Sequence, residues 1–297
     1  MSDLLAGRGV VVTGAGRGLG RAFALAIGRE GAGVVVNDVD TDEARAVAAE
    51  IDRDGGRAVV SAGSVASWAD AEAMIDSCID AFGAIDGLVN NAVAYTYYGP
   101  PWDEGEEQIR TATDVAVLGT LFCGVHAMRR MRERGRGSIV NISSRAHMGT
   151  RGMSTYVAVK GAVASATYGW ALELADSGVR VNALAPGAYT RAHDLAVAAG
   201  IYTDTHRAIG APPEVVAPAV VYLLSDLSAH LTGQTLAMLS GKLGLIAPPR
   251  PLEHTVERER WTAQEIAEVL DSEFTDQFQP VGFEASEYQF PAPVTRA

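Results

Sequence analysis

The stretch GVVVTGAGRGLG, residues 9–20, joins a run of β-branched residues to a helical pattern that continues to Arg29. This succession predicts a buried strand, a glycine-rich turn and a helix. Glycine lets a ligand approach the backbone closely, and the start of a helix presents unpaired N–H groups to an anion. The turn therefore predicts a site for the pyrophosphate of a dinucleotide, with contacts from Gly14, Arg17, Gly18, Leu19 and Gly20.

An acidic residue, Asp38, ends the next predicted strand and lies 18 residues beyond Gly20. A carboxylate at this place accepts hydrogen bonds from the adenosine ribose of NAD and disfavours the 2′-phosphate of NADP. Arg17 is the opposing signal, because a cation in the glycine turn can pair with that phosphate. A solvated loop arginine is the other interpretation of Arg17, and we expect NAD as the cofactor.

Short apolar runs alternate with helical patterns along the rest of the chain, and the runs show little polar alternation. Such strands are typical of a parallel sheet that is buried on both faces. The sequence therefore predicts an α/β fold, a Rossmann-type doubly wound parallel sheet of about seven strands, over residues 1–247.

Two segments depart from this alternation. Residues 191–211 carry Gly, Thr, Asp and His without a clear period, and in a doubly wound fold they lie near the ligand crevice. We expect a substrate loop there. Residues 248–297 follow Pro248-Pro249 and contain one helical pattern, Thr262 to Phe274, with Glu265 placed for a capping box. We expect this extension to pack on the domain or on a neighbouring subunit.

The composition argues against several classes of function. The formal net charge is -12, and no basic cluster is present, so nucleic acid is not an expected partner. Cys78 and Cys123 lie in apolar helical patterns, which is typical of buried thiols in a reducing compartment. They have no metal-ligand spacing, and neither do His193 and His206, so no metal is expected. Neither an export signal nor an apolar run of about 20 residues is visible, so we expect a cytoplasmic protein without a membrane partner.

Tyr156 and Lys160 stand four residues apart in a helical pattern, which places both side chains on one face. A phenol has a pKa of about 10, and a neighbouring ammonium lowers it. The pair can therefore exchange a proton with a substrate nearer neutral pH. Together with the glycine turn and the serines at 143–144, this spacing predicts a redox active site.

In order and spacing, the motifs resemble those of the short-chain dehydrogenase/reductase family over residues 5–245. The matching segments are Thr13 to Gly20, Asn90-Asn91-Ala92, Asn141-Ile142-Ser143-Ser144, Tyr156 to Lys160 and Pro186-Gly187. The resemblance implies hydride transfer between a nicotinamide and an alcohol or ketone. It also implies a homodimer or homotetramer, formed through the long helices.

The resemblance also implies individual roles. Tyr156 exchanges a proton with the substrate oxygen, Ser144 binds that oxygen, and Lys160 lowers the tyrosine pKa and holds the nicotinamide ribose. The implied cofactor contacts add Ser64, Val65, Asn90, Ala92, Pro186, Gly187 and Thr190.

Some positions depart from the family pattern. Ala116 stands where the family has an asparagine that holds a proton-relay water, and His147 could replace that group or simply form part of the cleft. Ser64 stands for an aspartate near the adenine, and Val93 for a glycine. The loop from Ser144 to Tyr156 is one residue short, which leaves Ser143 as an alternative to Ser144.

A narrower similarity concerns the hydroxyacyl-CoA dehydrogenase unit of multifunctional β-oxidation enzymes. It is carried by residues 35–38, by residues 185–188 with Arg191, by residues 213–218, and by the Gly241-Lys242-Leu243 step into a helical tail at Trp261-Thr262. It implies a 3-hydroxyacyl-CoA or a hydroxysteroid as substrate. An NADPH-dependent carbonyl reductase and a non-catalytic dinucleotide-binding regulator are the alternatives.

Four aromatic residues follow the predicted fourth strand. They are Tyr95, Tyr97, Tyr98 and Trp102. They could line an apolar substrate pocket, or they could serve packing or a subunit contact.

Overall fold

The computed structural model of the protein describes residues 3–95, 97–188, 191–198, 200, 211–239, 241–278 and 282. One sheet forms its centre. The strands are β1 (Gly9–Val12), β2 (Gly33–Asn37), β3 (Arg57–Ser61), β4 (Gly87–Asn90), β5 (Gly137–Ile142), β6 (Val179–Gly187), β7 (Thr235–Leu239) and β8 (Lys242–Ile246). Their order is β3-β2-β1-β4-β5-β6-β7-β8. The first seven are parallel, and β8 pairs with β7 antiparallel.

Helices connect the strands and cover both faces of the sheet. They are α1 (Gly18–Arg29), α2 (Thr41–Arg53), α3 (Trp68–Phe82), α4 (Glu106–Thr113), α5 (Gly119–Arg134), α6 (Ser154–Glu173), α7 (Arg191–Ala198) and α8 (Pro213–Leu224). A further helix, α9 (Ala263–Val269), lies in residues 248–297. The predicted doubly wound parallel fold is confirmed.

The core consists of two apolar layers, one on each face of the sheet. Val10 faces the layer that contains Phe23 of α1, whereas the next residue, Val11, faces the layer that contains Met74 of α3. This alternation is the period of two expected of a strand. Because both faces are apolar, the strands show little polar alternation in the sequence.

The eighth strand was not predicted. Gly241 precedes β8 with φ +79°, a left-handed conformation that suits glycine, and the chain then returns along β7. Leu243 and Leu245 are each 67% exposed. The segment lacks β-branched residues except for its last residue, so its strand character comes from pairing with β7.

The long helical region from Glu106 to Arg134 is interrupted in the structure. Residues Asp114–Leu118 form a π-helical turn between α4 and α5. The span Glu106–Arg134 is long and apolar enough to cross a membrane by length and composition. Cys123 and Met131 on its inner face are buried beside the sheet, which is the arrangement of a core helix.

The chain divides into two compact units, residues 1–247 and 248–297. In the second unit, the predicted N-terminal cap is confirmed. The Thr262 hydroxyl accepts the Glu265 N–H at 3.3 Å, and the Glu265 carboxylate accepts the Thr262 N–H at 2.9 Å. The helix continues as α9 and then as a π-helical turn over Leu270–Phe274.

Candidate active site

The candidate site residues come together at the carboxyl ends of β1, β2, β4, β5 and β6. The strand order changes direction at β1, since β2 continues to one side and β4 to the other. In open α/β sheets, ligands bind in the crevice at this position. Residues far apart in sequence therefore share one edge of the sheet.

The glycine turn is shaped so that side chains cannot replace two of its glycines. Gly14 has φ +60°, and a Cβ there would lie 2.9 Å from Ala92 Cα. A Cβ on Gly20 would overlap the carbonyl oxygen of Gly14. The turn thus brings bare backbone to the start of α1, where the first N–H groups have no acceptor within the helix and can face an anion.

Asn91 joins this turn to the end of β4 through hydrogen bonds. Its side-chain amide donates to the carbonyl oxygens of Thr13 at 2.9 Å and Gly14 at 3.0 Å. In return, the Thr13 hydroxyl accepts the N–H groups of Asn91 at 3.0 Å and Ala92 at 3.1 Å. The sequence analysis placed Asn90 and Ala92 in the site but gave Asn91 no role. The pair of adjacent asparagines was the sequence feature that could have indicated the role of Asn91.

Asp38 is buried directly against the glycine turn. Its carboxylate accepts the N–H of Gly16 and the N–H of Asp40, both at 3.0 Å. Glu43 also reaches the turn, because a Cβ on Gly16 would lie 2.9 Å from Glu43 Cβ. Arg17 is exposed. The end of β2 therefore presents an acidic environment beside the turn.

Three other residues predicted to contact the cofactor, Ser64, Val65 and Asn90, make hydrogen bonds or apolar contacts within the protein. The Ser64 N–H donates to Asp70 at 2.9 Å, and Val65 is buried in the core. The Asn90 amide donates to the Asn141 side chain at 2.9 Å, and Asn141 donates to the Thr167 hydroxyl at 3.0 Å. The Asn90 side chain therefore links β4, β5 and α6.

Lys160 is 3% exposed and lies beneath the end of β5. Its ammonium donates to the carbonyl oxygen of Ile142 at 2.6 Å. Burial lowers the pKa of Lys160 to about 8. The ammonium lies 5.8 Å from the centre of the Tyr156 ring, so the helical spacing does bring the two side chains together.

Three tyrosine rings form a wall, here called the aromatic wall, consisting of Tyr95, Tyr98 and Tyr156. The ring centres of Tyr95 and Tyr156 are 5.4 Å apart, and those of Tyr95 and Tyr98 are 5.5 Å apart. Trp102, in contrast, is 81% exposed. The aromatic wall is therefore continuous with the residue proposed for proton exchange, and Trp102 is largely in solvent.

The two serines after β5 differ in orientation. Ser143 is buried, and its hydroxyl donates to the Lys160 carbonyl oxygen at 3.0 Å. Ser144 is partly exposed, and its hydroxyl oxygen accepts the Ala146 N–H at 3.1 Å, which leaves the hydroxyl proton available. The geometry favours Ser144 over Ser143 as the group that meets a substrate.

The position of Ala116 lies inside the π-helical turn. Ala116 is buried and packs with Ala112 and Val159, and the ring of Tyr95 packs against this group. His147 binds within its own turn, with Nδ1 at 2.5 Å from the Ser144 carbonyl oxygen. The structure thus gives no polar side chain at position 116.

The remaining predicted residues lie at the end of β6. Pro186 and Gly187 pair with Met238 and Leu239 of β7. Thr190 and His206 are outside the described residues. The predicted substrate loop contains helix α7, and a bridge between Ala188 and Ala211 brings its two ends together. The absence of a clear hydrophobic period had hidden this helix.

Comparison with known proteins gives a consistent result. A family model described as short chain dehydrogenase matches residues 8–196, which is more than half of the chain. The chain is 35% identical over 258 residues to cis-4-hydroxycyclohexanecarboxylate dehydrogenase of Sinomonas cyclohexanicum. The match covers 81% of this chain and 98% of that protein.

Solved structures are similar as well. A short chain dehydrogenase from Mycobacterium avium has a TM-score of 0.79 and 32% identity, with 90% of this chain and 94% of that chain covered. NAD+-bound xylitol dehydrogenase has a TM-score of 0.74 and 26% identity, with 80% and 99% covered. The glycine turn, the Tyr156–Lys160 pair and these matches lead to one conclusion. The chain belongs to the short-chain dehydrogenase/reductase family of oxidoreductases, which act on alcohol groups with a nicotinamide dinucleotide.

Proposed function

We propose that the protein is an NAD-dependent dehydrogenase that interconverts a secondary alcohol on a carbocyclic ring and its ketone. The observation that carries this proposal is the position of Tyr156. Its ring lies 5.8 Å from the buried ammonium of Lys160 and belongs to the aromatic wall, at the sheet edge that also holds the glycine turn. A proton-exchanging group, a cation and an apolar surface thus lie together.

The three polar groups have separate roles in this proposal. In the oxidation direction, the Tyr156 oxygen would take the hydroxyl proton of the alcohol. A nicotinamide dinucleotide held by the glycine turn and Asp38 would supply the acceptor for the hydride that leaves the same carbon. Ser144 donates a hydrogen bond to the developing alkoxide, an interaction that typically contributes about 3 to 4 kcal/mol. The Lys160 cation stabilises negative charge on the Tyr156 oxygen, and its own position is held by the Ile142 carbonyl.

The residues at the end of β2 fit NAD. Asp38 presents a carboxylate beside the glycine turn, and Asp40, Asp42 and Glu43 follow within five residues. A 2′-phosphate placed among these charges would be repelled, whereas ribose hydroxyls can donate to Asp38. Arg17, the residue that favoured NADP, is exposed, whereas Asp38 is buried directly against the glycine turn. The NADPH-dependent reductase is therefore the weaker alternative.

An apolar ring substrate fits the aromatic wall. Flat aromatic faces contribute a large contact area without fixed hydrogen-bond partners, which suits a carbocycle. The relative from Sinomonas cyclohexanicum acts on such a ring, as its name states. Hydroxysteroids belong to the same chemical class. A 3-hydroxyacyl-CoA is the second candidate, which rests on the sequence similarity in residues 35–38 and 213–218.

A substrate panel tests the proposal. We expect NADH formation from hydroxycyclohexanes or hydroxysteroids, with little formation of NADPH. The same panel contains 3-hydroxyacyl-CoAs and linear secondary alcohols. If only the CoA esters react, the ring-substrate assignment is wrong; if no alcohol reduces NAD, the dehydrogenase assignment for this chain is wrong.

A further inference from the structure

Three consecutive residues at the end of β5 are each hydrogen-bonded to helix α6. The Asn141 side-chain amide donates to the Thr167 hydroxyl at 3.0 Å. The Ile142 carbonyl oxygen accepts the Lys160 ammonium at 2.6 Å, and the Ser143 hydroxyl donates to the Lys160 carbonyl oxygen at 3.0 Å. The contact that holds the Lys160 charge is therefore flanked on the strand by two further contacts to the same helix.

The two flanking contacts hold α6 at separate points of one face. Thr167 follows Lys160 by two helical turns, which is about 10 Å along the helix axis. Residues at this spacing lie on nearly the same side of a helix, and Val163, halfway between them, is buried as well. A helix held in this way cannot rotate or slide against the strand unless one of the two hydrogen bonds breaks.

The hydrogen bonds on the Thr167 side have a fixed direction. A threonine hydroxyl has one proton, and Thr167 donates its proton to the Val163 carbonyl oxygen at 3.0 Å. Thr167 therefore accepts from Asn141, whose amide oxygen in turn accepts the Asn90 amide at 2.9 Å. Asn141 and Thr167 are fully buried, so water does not replace a lost bond there. Thr167→Val would leave the Asn141 N–H without this acceptor, whereas Thr167→Ser keeps the hydroxyl.

The position of the Lys160 charge depends on this attachment. A lysine side chain is a flexible stem, so it does not fix the ammonium by itself. The ammonium stays on the Ile142 carbonyl oxygen and out of water only while α6 remains against the end of β5. If α6 moved away from the strand, water would reach the charge and the distance to the Tyr156 ring, now 5.8 Å, would change.

We infer that Thr167 and Ser143 are positioning residues for Lys160. They hold α6 against the end of β5 and thereby keep the ammonium on the Ile142 carbonyl oxygen, beside the Tyr156 ring. The placement of Lys160 stands without a substrate, whereas the kinetic consequence rests on the proposed function.

Isotopic labelling of lysine tests the inference without turnover. Lys160 and Lys242 are the lysines of the chain, so the full-length protein grown with 13C-lysine gives two sets of side-chain NMR signals. The set that is missing in Lys160→Met belongs to Lys160, and its titration gives the pKa. In the wild type we expect a pKa of about 8, because burial disfavours the charged form. In Thr167→Val and in Ser143→Ala the pKa of Lys160 should rise towards 10.5, the value of an exposed lysine.

The conservative variant Thr167→Ser should keep the wild-type pKa of Lys160. A wild-type pKa in both Thr167→Val and Ser143→Ala, with the fold intact, would overturn the inference. If one of the two raises the pKa and the other does not, the inference fails for the second residue. Should Thr167→Val not fold, Ser143→Ala leaves the Thr167 contact in place and carries the same test.

The kinetic test uses the full chain with NAD and the best alcohol of the panel. Near neutral pH, kcat in Thr167→Val and in Ser143→Ala should fall about tenfold, which corresponds to about 1.4 kcal/mol. The rise of kcat with pH should also move to higher pH, because a displaced cation stabilises the Tyr156 phenolate less. A loss of kcat without this displacement of the pH profile would contradict a positioning role. If the wild type reduces no NAD with any alcohol, the proposed function fails, and the lysine titration still decides the role of the two residues.

Two hydroxyl deletions serve as matched controls. Ser138→Ala removes a buried hydroxyl at the other end of β5, where it donates to the Leu223 carbonyl oxygen at 2.8 Å. Tyr168→Phe removes a hydroxyl from α6 itself, next to Thr167, where the partner is the Thr235 hydroxyl at 3.3 Å. Both should leave the Lys160 pKa and the pH profile of kcat unchanged, even where the unfolding temperature falls. A raised Lys160 pKa in Ser138→Ala would show that general destabilisation moves the lysine, and the inference would be wrong.

Discussion

At the level of single residues, the site contains a cation that the fold holds away from water. Lys160 is only 3% exposed, and its ammonium donates to the Ile142 carbonyl oxygen. Burial of a charged group opposes folding unless partners compensate. Lys160 differs from an ordinary core residue because its charge lies next to the phenol ring of Tyr156.

This burial makes stability depend on pH. The pKa of Lys160 is about 8 in the folded protein, lowered from 10.5 by burial. Between these pH values the unfolded chain binds the extra proton, so the free energy of unfolding rises with pH from about 8 to 10.5. We expect the free energy of unfolding to increase by about 3 kcal/mol over this range. Below pH 8 the folded and the unfolded chain both carry the Lys160 proton, so this increase is absent there.

Urea unfolding of Lys160→Met and the wild type across this pH range isolates the effect. The difference between the two proteins should grow with pH in favour of the wild type. Lys242, the other lysine of the chain, is exposed, so Lys242→Met is the control and should follow the wild type. Parallel curves for wild type and Lys160→Met would contradict the prediction.

Tyr156→Phe removes the group that exchanges the proton. We expect kcat to fall by roughly 10² to 10⁴, the usual contribution of general acid–base catalysis, with NADH binding retained. Steady-state kinetics and NADH fluorescence titration measure the two quantities. Tyr168→Phe serves as control, and retained turnover in Tyr156→Phe would remove Tyr156 from the proposed role.

Asp38→Asn tests the choice of cofactor. The amide keeps an oxygen for the Gly16 N–H but loses the negative charge that repels a 2′-phosphate. We expect the preference for NAD over NADP, measured as the ratio of kcat/KM, to fall roughly hundredfold, as like-charge contacts cost several kcal/mol. Asp40→Asn, on the neighbouring helix cap, should change the ratio far less. An unchanged ratio in Asp38→Asn would assign the preference to another group.

At the level of elements, the turn between β1 and α1 depends on close backbone contact. The Cβ of Gly20→Ala would overlap the Gly14 carbonyl oxygen and lie 2.6 Å from the Asn91 amide nitrogen. We expect NADH affinity to fall at least tenfold and stability to fall by about 1 to 3 kcal/mol. Fluorescence titration and thermal unfolding check both.

Gly169→Ala is the matched control within a helix. A Cβ there meets no atom within 4 Å, so alanine should stabilise α6 by about 0.5 to 1 kcal/mol without changing NADH affinity. If Gly20→Ala binds NADH like the wild type, the tight turn is not what shapes the pyrophosphate site.

At the level of the whole molecule, the candidate active site lies in the first of the two compact units. The residues proposed for the site, and every strand of the described sheet, belong to residues 1–247. We propose that residues 248–297 serve packing, on the domain or on a neighbouring subunit. A chain that ends at Ala247 should therefore stay folded and bind NADH.

Light scattering coupled to size-exclusion chromatography tests the neighbouring-subunit version. We expect the full chain to be a homodimer or homotetramer, and the shortened chain to form a smaller assembly if the extension bridges subunits. An insoluble shortened chain, or one without NADH affinity, would contradict the prediction that the first unit is independent.

Much of the architecture was accessible without coordinates. The seven parallel strands follow from short apolar runs, because strands covered on both faces need little polar alternation. The glycine turn and the Tyr156–Lys160 spacing are likewise local, since a tight turn and one helical face depend only on neighbours in sequence.

The rest depended on contacts between distant segments. β8 is a strand because β7 offers it an edge, and Asn91 matters because folding brings it to Thr13. Sequence alone does not distinguish Ser143 from Ser144. In the fold, the Ser143 hydroxyl donates to the Lys160 carbonyl oxygen, whereas Ser144 is partly exposed to solvent. Glu104 and the start of α6 also meet only in the folded chain, where the Glu104 carboxylate accepts the Thr155 hydroxyl. Short-range preferences thus specified which elements form, while side-chain orientation and pairing were settled by packing, because both depend on which surfaces the folded chain brings into contact.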